Sequence, residues 1–177
     1  MGFLIRFAST ALPILFLAGI AIGCHGFDAS APEPAAASLR TNATQYTVRH
    51  DGFLHRATIG YVYANGTGAA VSANYCHSPS PPLLEKQVGG RWVAAYHAIV
   101  QLCLSIPPFV IPAGANYDAT LQFLAATPGN HFGPELLVDE VPGTYRLRWV
   151  LRAGNNPDDV RAPLVEAISN SFELVEQ

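Results

Sequence analysis

The chain is short of charge: Asp, Glu, Lys and Arg make up 13% of its 177 residues, about half the share of an average soluble domain. It also lacks a basic field. With 10 Lys and Arg against 13 Asp and Glu, the net charge is -3, which excludes the electrostatic grip that holds a nucleic-acid backbone. A mean hydropathy of +0.21 excludes a charge-solvated disordered chain, and 14 prolines argue against a coiled coil. No internal repeat and no sustained 3.6-residue period occur. Catalytic signatures are missing too: there is no His-Glu-x-x-His helix, no phosphate-cradling Gly-rich loop and no Gly-x-Ser-x-Gly elbow. Cys76-His77 sets a thiol beside a base, but adjacent strand residues face opposite sides of a sheet. Asp139-Glu140 and Asp158-Asp159 read as solvated turn acids. The 6 histidines (His25, His50, His55, His77, His97 and His131) have no ligand spacing. His50 and His55 can converge across a hairpin, but a metal site needs three or four ligands. The sequence therefore predicts no catalytic residue, no metal and no cofactor.

What is present begins at the N-terminus. Residues 1–23 carry a single charge, Arg6, followed by the uncharged run from Phe7 to Ile22. A short basic region, an apolar region and small residues are the layout of an export signal. An uncleaved membrane anchor is the alternative, since the apolar stretch is just long enough to span. From Cys24 to Ala43, small residues and prolines without aliphatic periodicity predict a flexible tether.

The junction Ala21-Ile22-Gly23-Cys24 resembles the lipobox of bacterial lipoproteins, in which a cysteine after small residues becomes the lipid-modified N-terminus. Ala21 departs from the pattern, which has Leu at that position. The resemblance implies lipidation at Cys24, with several acyl chains holding the protein firmly to a membrane. His25 implies the outer membrane in a cell that has two, because inner-membrane retention in some bacteria uses Asp there. Of the 3 cysteines, this leaves Cys76 and Cys103. In the oxidising periplasm they are expected to form a disulfide, stabilising by roughly 3–4 kcal/mol through closure of the intervening loop; a reduced buried pair is the alternative. Asn42-Ala43-Thr44 and Asn65-Gly66-Thr67 match the glycosylation acceptor, a match that a bacterial origin makes accidental.

Residues 44–177 predict one all-β domain. Gln45–His50, Thr58–Tyr63, Ala70–Tyr75, Leu83–Val88, Arg91–Tyr96, Phe109–Ile111, Tyr117–Leu124, Thr144–Arg152 and Ser171–Val175 read as short strands between turns. Gly89-Gly90 predicts a tight hairpin. In Thr144–Arg152, Tyr145, Leu147, Trp149 and Leu151 alternate with polar partners. Ser78 to Pro82 is too proline-rich for a central strand. The expected architecture is an antiparallel β-sandwich of about seven to nine strands.

Asp139-Glu140-Val141-Pro142-Gly143-Thr144-Tyr145 resembles the corner before a late strand in immunoglobulin-like domains, including domains similar to intracellular proteinase inhibitors. That likeness implies that the Tyr145 hydroxyl bonds back to the turn. An ordinary core tyrosine is the alternative. The loop Thr127–Pro134 offers His131 and Phe132 as contact residues, unless Phe132 tucks under its own loop. The expected function is a non-catalytic binding or structural module of the cell envelope, anchored by lipid and facing an envelope protein or polymer. The alternatives are a protease inhibitor presenting Ser78–Pro82 or Thr127–Pro134, and a metal-handling or hydrolytic domain whose residues meet only in the fold.

Overall fold

The computed structural model describes residues 37–76, 78–96, 107–130 and 133–177, with backbone only at Tyr75, Cys76 and Ser78. These residues form thirteen strands and no helix: β1 (Ser38–Thr41), β2 (Gln45–Asp51), β3 (Leu54–Ala64), β4 (Val71–Ala73), β5 (Tyr75–Cys76), β6 (Ser78–Pro79), β7 (Leu83–Val88), β8 (Arg91–Ala94), β9 (Phe109–Ile111), β10 (Asn116–Ala126), β11 (Gly143–Ala153), β12 (Leu164–Ile168) and β13 (Phe172–Glu176). The domain is all-β. Cys24, His77, Cys103, His131 and Phe132 lie outside the described residues, so the lipidation site, one half of the disulfide and the two contact residues of the loop Thr127–Pro134 fall there.

Two long strands organise the sheet. β3 pairs along its whole length with β10, from Ala64 opposite Asn116 to Leu54 opposite Ala126. Its other edge is shared: β1 covers the C-terminal end, with Ser38 opposite Ala64, and β2 covers the N-terminal end, with Asp51 opposite Leu54. β11 centres the other half. β12 and β13 pair with one of its edges, and β7 and β4 with the other. β8 extends β7, and β9 extends β4. β2 joins the halves, because Gln45–Val48 run parallel to Glu173–Glu176 of β13 before Arg49–Asp51 turn to β3.

This corrects the expected architecture in three respects. The sheet is mixed, because of the parallel β2–β13 pair. It is one curled 11-stranded sheet, closer to a half-barrel than to two separate immunoglobulin-like layers, because β2 hydrogen-bonds to both halves. Finally, residues 38–41, which the sequence assigns to the tether, form β1. Leu39 draws that strand in: its side chain, 2% exposed, reaches the core while its backbone completes the edge of β3.

The core lies inside the curl. Alternation places Ile59, Tyr61 and Tyr63 of β3, Leu121 and Phe123 of β10, and Tyr145, Leu147, Trp149 and Leu151 of β11 inward. The Tyr61 and Tyr63 rings meet Trp149 edge-on, at 5.8 and 5.5 Å. These edge-to-face contacts suit the aromatic quadrupole.

Two turns show how local chemistry sets register. Gly89 and Gly90 both have positive φ, 56° and 77°, which a two-residue primed turn requires and only glycine adopts freely; Val88 thus faces Arg91. At the corner before β11, the Tyr145 hydroxyl donates to the Val141 carbonyl at 2.5 Å. Lys86 donates its ammonium to the neighbouring Glu140 carbonyl and lies 5.9 Å over the Tyr145 ring. Gly143, at φ 141°, lets this lysine pass, since a Cβ there would stand 2.9 Å from Lys86 Cε.

Candidate functional site

The β2–β3 hairpin gathers two histidines and two arginines on paired positions. Gly52 and Phe53 form its two-residue turn, with Gly52 at φ 64°. The Phe53 carbonyl accepts from the Thr127 backbone amide at 2.9 Å, tying the turn to the end of β10. In this register Arg49 stands opposite Arg56 and His50 opposite His55. Successive residues of a strand point to opposite faces, so the arginines and the histidines occupy opposite faces of the sheet.

The two imidazoles stack at 4.4 Å between centroids, 5° from parallel. His55 is buried and His50 exposed. Glu176, from β13, brings a carboxylate oxygen to 3.5 Å from His55 Nδ1. Burial lowers the His55 pKa, the neighbouring His50 lowers it further, and Glu176 opposes both. The neutral ring is therefore favoured in the folded state. Between the depressed folded pKa and the ordinary value of about 6.5, the unfolded chain binds the extra proton. The contribution of His55 is thus complete above about pH 6.5 and is lost as pH falls through the folded value. Urea midpoints are expected to fall from about pH 7.5 to about pH 5, and to fall less in His55→Gln. A midpoint that rises on acidification would mean that Glu176 outweighs burial.

On the opposite face, Arg49 and Arg56 line an open groove of about 530 Å³ together with Thr47, Thr58 and Gln122. Thr58 Oγ1 and Gln122 Oε1 are 3.0 Å apart, the hydroxyl donating across β3–β10. Arg56 makes one loose contact, 4.0 Å to Asp51, with both side chains largely exposed. None of the ion pairs among the described residues includes Arg49.

A second charged cluster, on β7 and β11, serves the fold. Glu85 is buried and accepts Arg146 Nε and Arg148 Nε, each at 2.7 Å. Arg148 also reaches Glu166 at 3.2 Å, and its bonds to Glu166 and Glu85 raise its pKa. Arg146 stacks 4.5 Å over Trp92.

Of the lipidation, disulfide, contact and corner residues expected from sequence, the described set holds Tyr145 in full and Cys76 by its backbone in β5; His50 and His55 do converge across the hairpin. Among the described residues no group of three His, Cys, Asp or Glu could hold a metal ion. Asn65, within a glycosylation-like triplet, is buried and structural: its amide donates to the carbonyls of Ala69, Ile111 and Pro112, each at 3.0 Å. Asn42, in the other triplet, packs over Gly60 and accepts from the Tyr46 hydroxyl at 2.6 Å. The arginine pair is the feature that sequence reasoning missed. Its signal was present: Arg49-His50 and His55-Arg56 mirror each other about the turn, so the pairing that joins the histidines also joins the arginines. The chain matches no protein-family model, no curated protein and no solved structure.

Proposed function

We propose that this chain is an exported, lipid-anchored protein of the bacterial cell envelope, held at the outer membrane in a cell with two membranes. Its β-domain acts as a non-catalytic binding module for an envelope component, with no role for nucleic acid. Cys24 carries the lipid, and Cys76 and Cys103 form the disulfide. The observation that carries the binding role is the Arg49–Arg56 groove: an open, polar recess on a sheet whose strands are hydrogen-bonded on both sides of β3. Rigid scaffolds that display polar groups to solvent recognise ligands without reorganisation cost.

The position of the groove supports this reading. The chain enters the domain at Ser38, beside Ala64, whereas the Arg49–Arg56 pair lies near the other end of β3, roughly 27 Å away at strand spacing. The hairpin thus lies at the end of β3 away from the edge that β1 covers.

Incorporation of labelled palmitate into the full chain, expressed with its own N-terminus in a bacterial host, tests the anchor. Label in the parent and none in Cys24→Ser is the expected result, together with globomycin-sensitive processing of the parent alone. A parent chain that stays at the membrane without label would establish an uncleaved anchor instead.

A further inference from the structure

We propose that Arg49 and Arg56, with Thr47, Thr58 and Gln122, form a binding site for a phosphate monoester group. This rests on the binding-module reading and names the ligand chemistry of the same groove. Three observations carry it. First, two guanidinium groups stand on directly opposed positions of neighbouring strands, where like charges repel and destabilise a sheet. Arg49 has no ion pair among the described residues, and Arg56 has only the exposed 4.0 Å approach of Asp51. Only that exposed contact offsets the repulsion, in a chain whose net charge is -3.

Second, the groove between them is open and large enough for a small anion, about 530 Å³. Third, its other polar groups supply donors that match oxyanions: the Thr47 hydroxyl and the Gln122 side-chain nitrogen, the Gln122 amide being oriented by the Thr58 hydroxyl, which donates to its Oε1. A carboxylate would neutralise one arginine. A phosphate monoester carries about -1.5 to -2 charges and three acceptor oxygens, enough to bridge both guanidinium groups through forked, charge-assisted bonds. No acid is among the residues that line the recess; the exposed Asp51 of β2, 4.0 Å from Arg56, is the carboxylate that an incoming anion must displace. The recess is shallow and solvated, so affinity resides in these few bonds and weakens with salt.

The test uses the full chain in non-ionic detergent, titrated calorimetrically with inorganic phosphate and with glycerol 3-phosphate at low ionic strength. Millimolar or tighter binding is expected, with at least a tenfold loss in Arg49→Gln and in Arg56→Gln. Arg91→Gln, which alters an exposed arginine of β8, should leave binding unchanged. In phosphate-free buffer Arg49→Gln should raise Tm, because it relieves the repulsion, while its phosphate-induced rise in Tm disappears. Phosphatidylcholine vesicles carrying phosphatidic acid distinguish a lipid source: capture by vesicles with no response to glycerol 3-phosphate assigns the site to a headgroup, and the reverse assigns it to a soluble ester. Absence of binding to all of these probes overturns the proposal, as does an equal loss in Arg91→Gln. Such a failure with palmitate label retained discards the site and leaves the anchored module standing, whereas loss of label in the parent removes the anchor and leaves the phosphate test intact.

Discussion

Trp149→Ala is expected to lower unfolding stability by about 3–5 kcal/mol. The side chain is 2% exposed, and its ring meets Tyr61, Tyr63 and Tyr117 within 6 Å between centroids, at 5.8, 5.5 and 5.9 Å. These partners come from β3 and β10, in the half of the sheet that faces β11 across the core. Truncation removes these contacts between the halves and leaves a cavity that three stiff aromatic rings cannot fill. It also removes the donor to the Ser80 carbonyl, at 2.9 Å, which ties the proline-rich segment after β6 to β11. Trp149→Phe separates these contributions. It keeps aromatic packing, loses the bond, and should cost about 1–3 kcal/mol. Urea unfolding followed by far-ultraviolet circular dichroism measures both variants. A small domain has only about 5–15 kcal/mol in total, so the alanine variant should unfold at a much lower urea concentration. A loss below about 1 kcal/mol would mean that the two halves do not meet at Trp149.

Glu85→Ala is expected to cost about 2–3 kcal/mol. One buried carboxylate, 8% exposed, accepts from two arginines whose side chains are 20% and 35% exposed. Removing it leaves two half-buried guanidinium groups side by side on β11, each without its closest acceptor. The loss falls short of that for a fully buried pair because water reaches both arginines and screens them. Glu85→Gln keeps the shape and one acceptor oxygen and should lose less. A double-mutant cycle with Arg146→Met reads the coupling directly, expected at about 1–2 kcal/mol. Additive effects in that cycle would show that Arg146 is held by its stack on Trp92 rather than by Glu85.

The parts of the fold that were legible in the sequence are those fixed over short spans. Strict two-residue alternation exposed β11, β3 and β10, because one face of each is buried and the other wet. The Gly89-Gly90 turn could be placed because few other residue pairs adopt two successive positive φ angles. The bond from Tyr145 to Val141 spans four residues, within reach of a local pattern. β12 escaped for the converse reason: Leu164 and Ile168 are 62% and 45% exposed apolar residues on its outer face, which erases the alternation. β1 escaped because a single buried leucine, amid alanine and serine, makes no pattern at all.

The candidate site divides in the same way. The possible meeting of His50 with His55 was readable, since five residues and a turn connect them. That the same register places Arg49 against Arg56 followed from it, yet charged residues on an outer face carry no periodic signal that sets them apart from solvated surface. Glu176 beside His55 lies 121 positions away along the chain, and no short-range pattern could have joined them.

By itself, the sequence determined that the domain is all-β, which residues face inward on its long strands, and where its tight turns fall, because these depend on neighbours a few residues apart. Only the tertiary structure decided how the strands are ordered. The parallel union of β2 with β13, the entry of β1 into the edge of β3, and the curl that seats Trp149 between tyrosines are choices among many pairings with the same local pattern. They are settled by which arrangement buries Leu39, Val48 and the aromatic rings together while pairing the backbone groups of the inner strands.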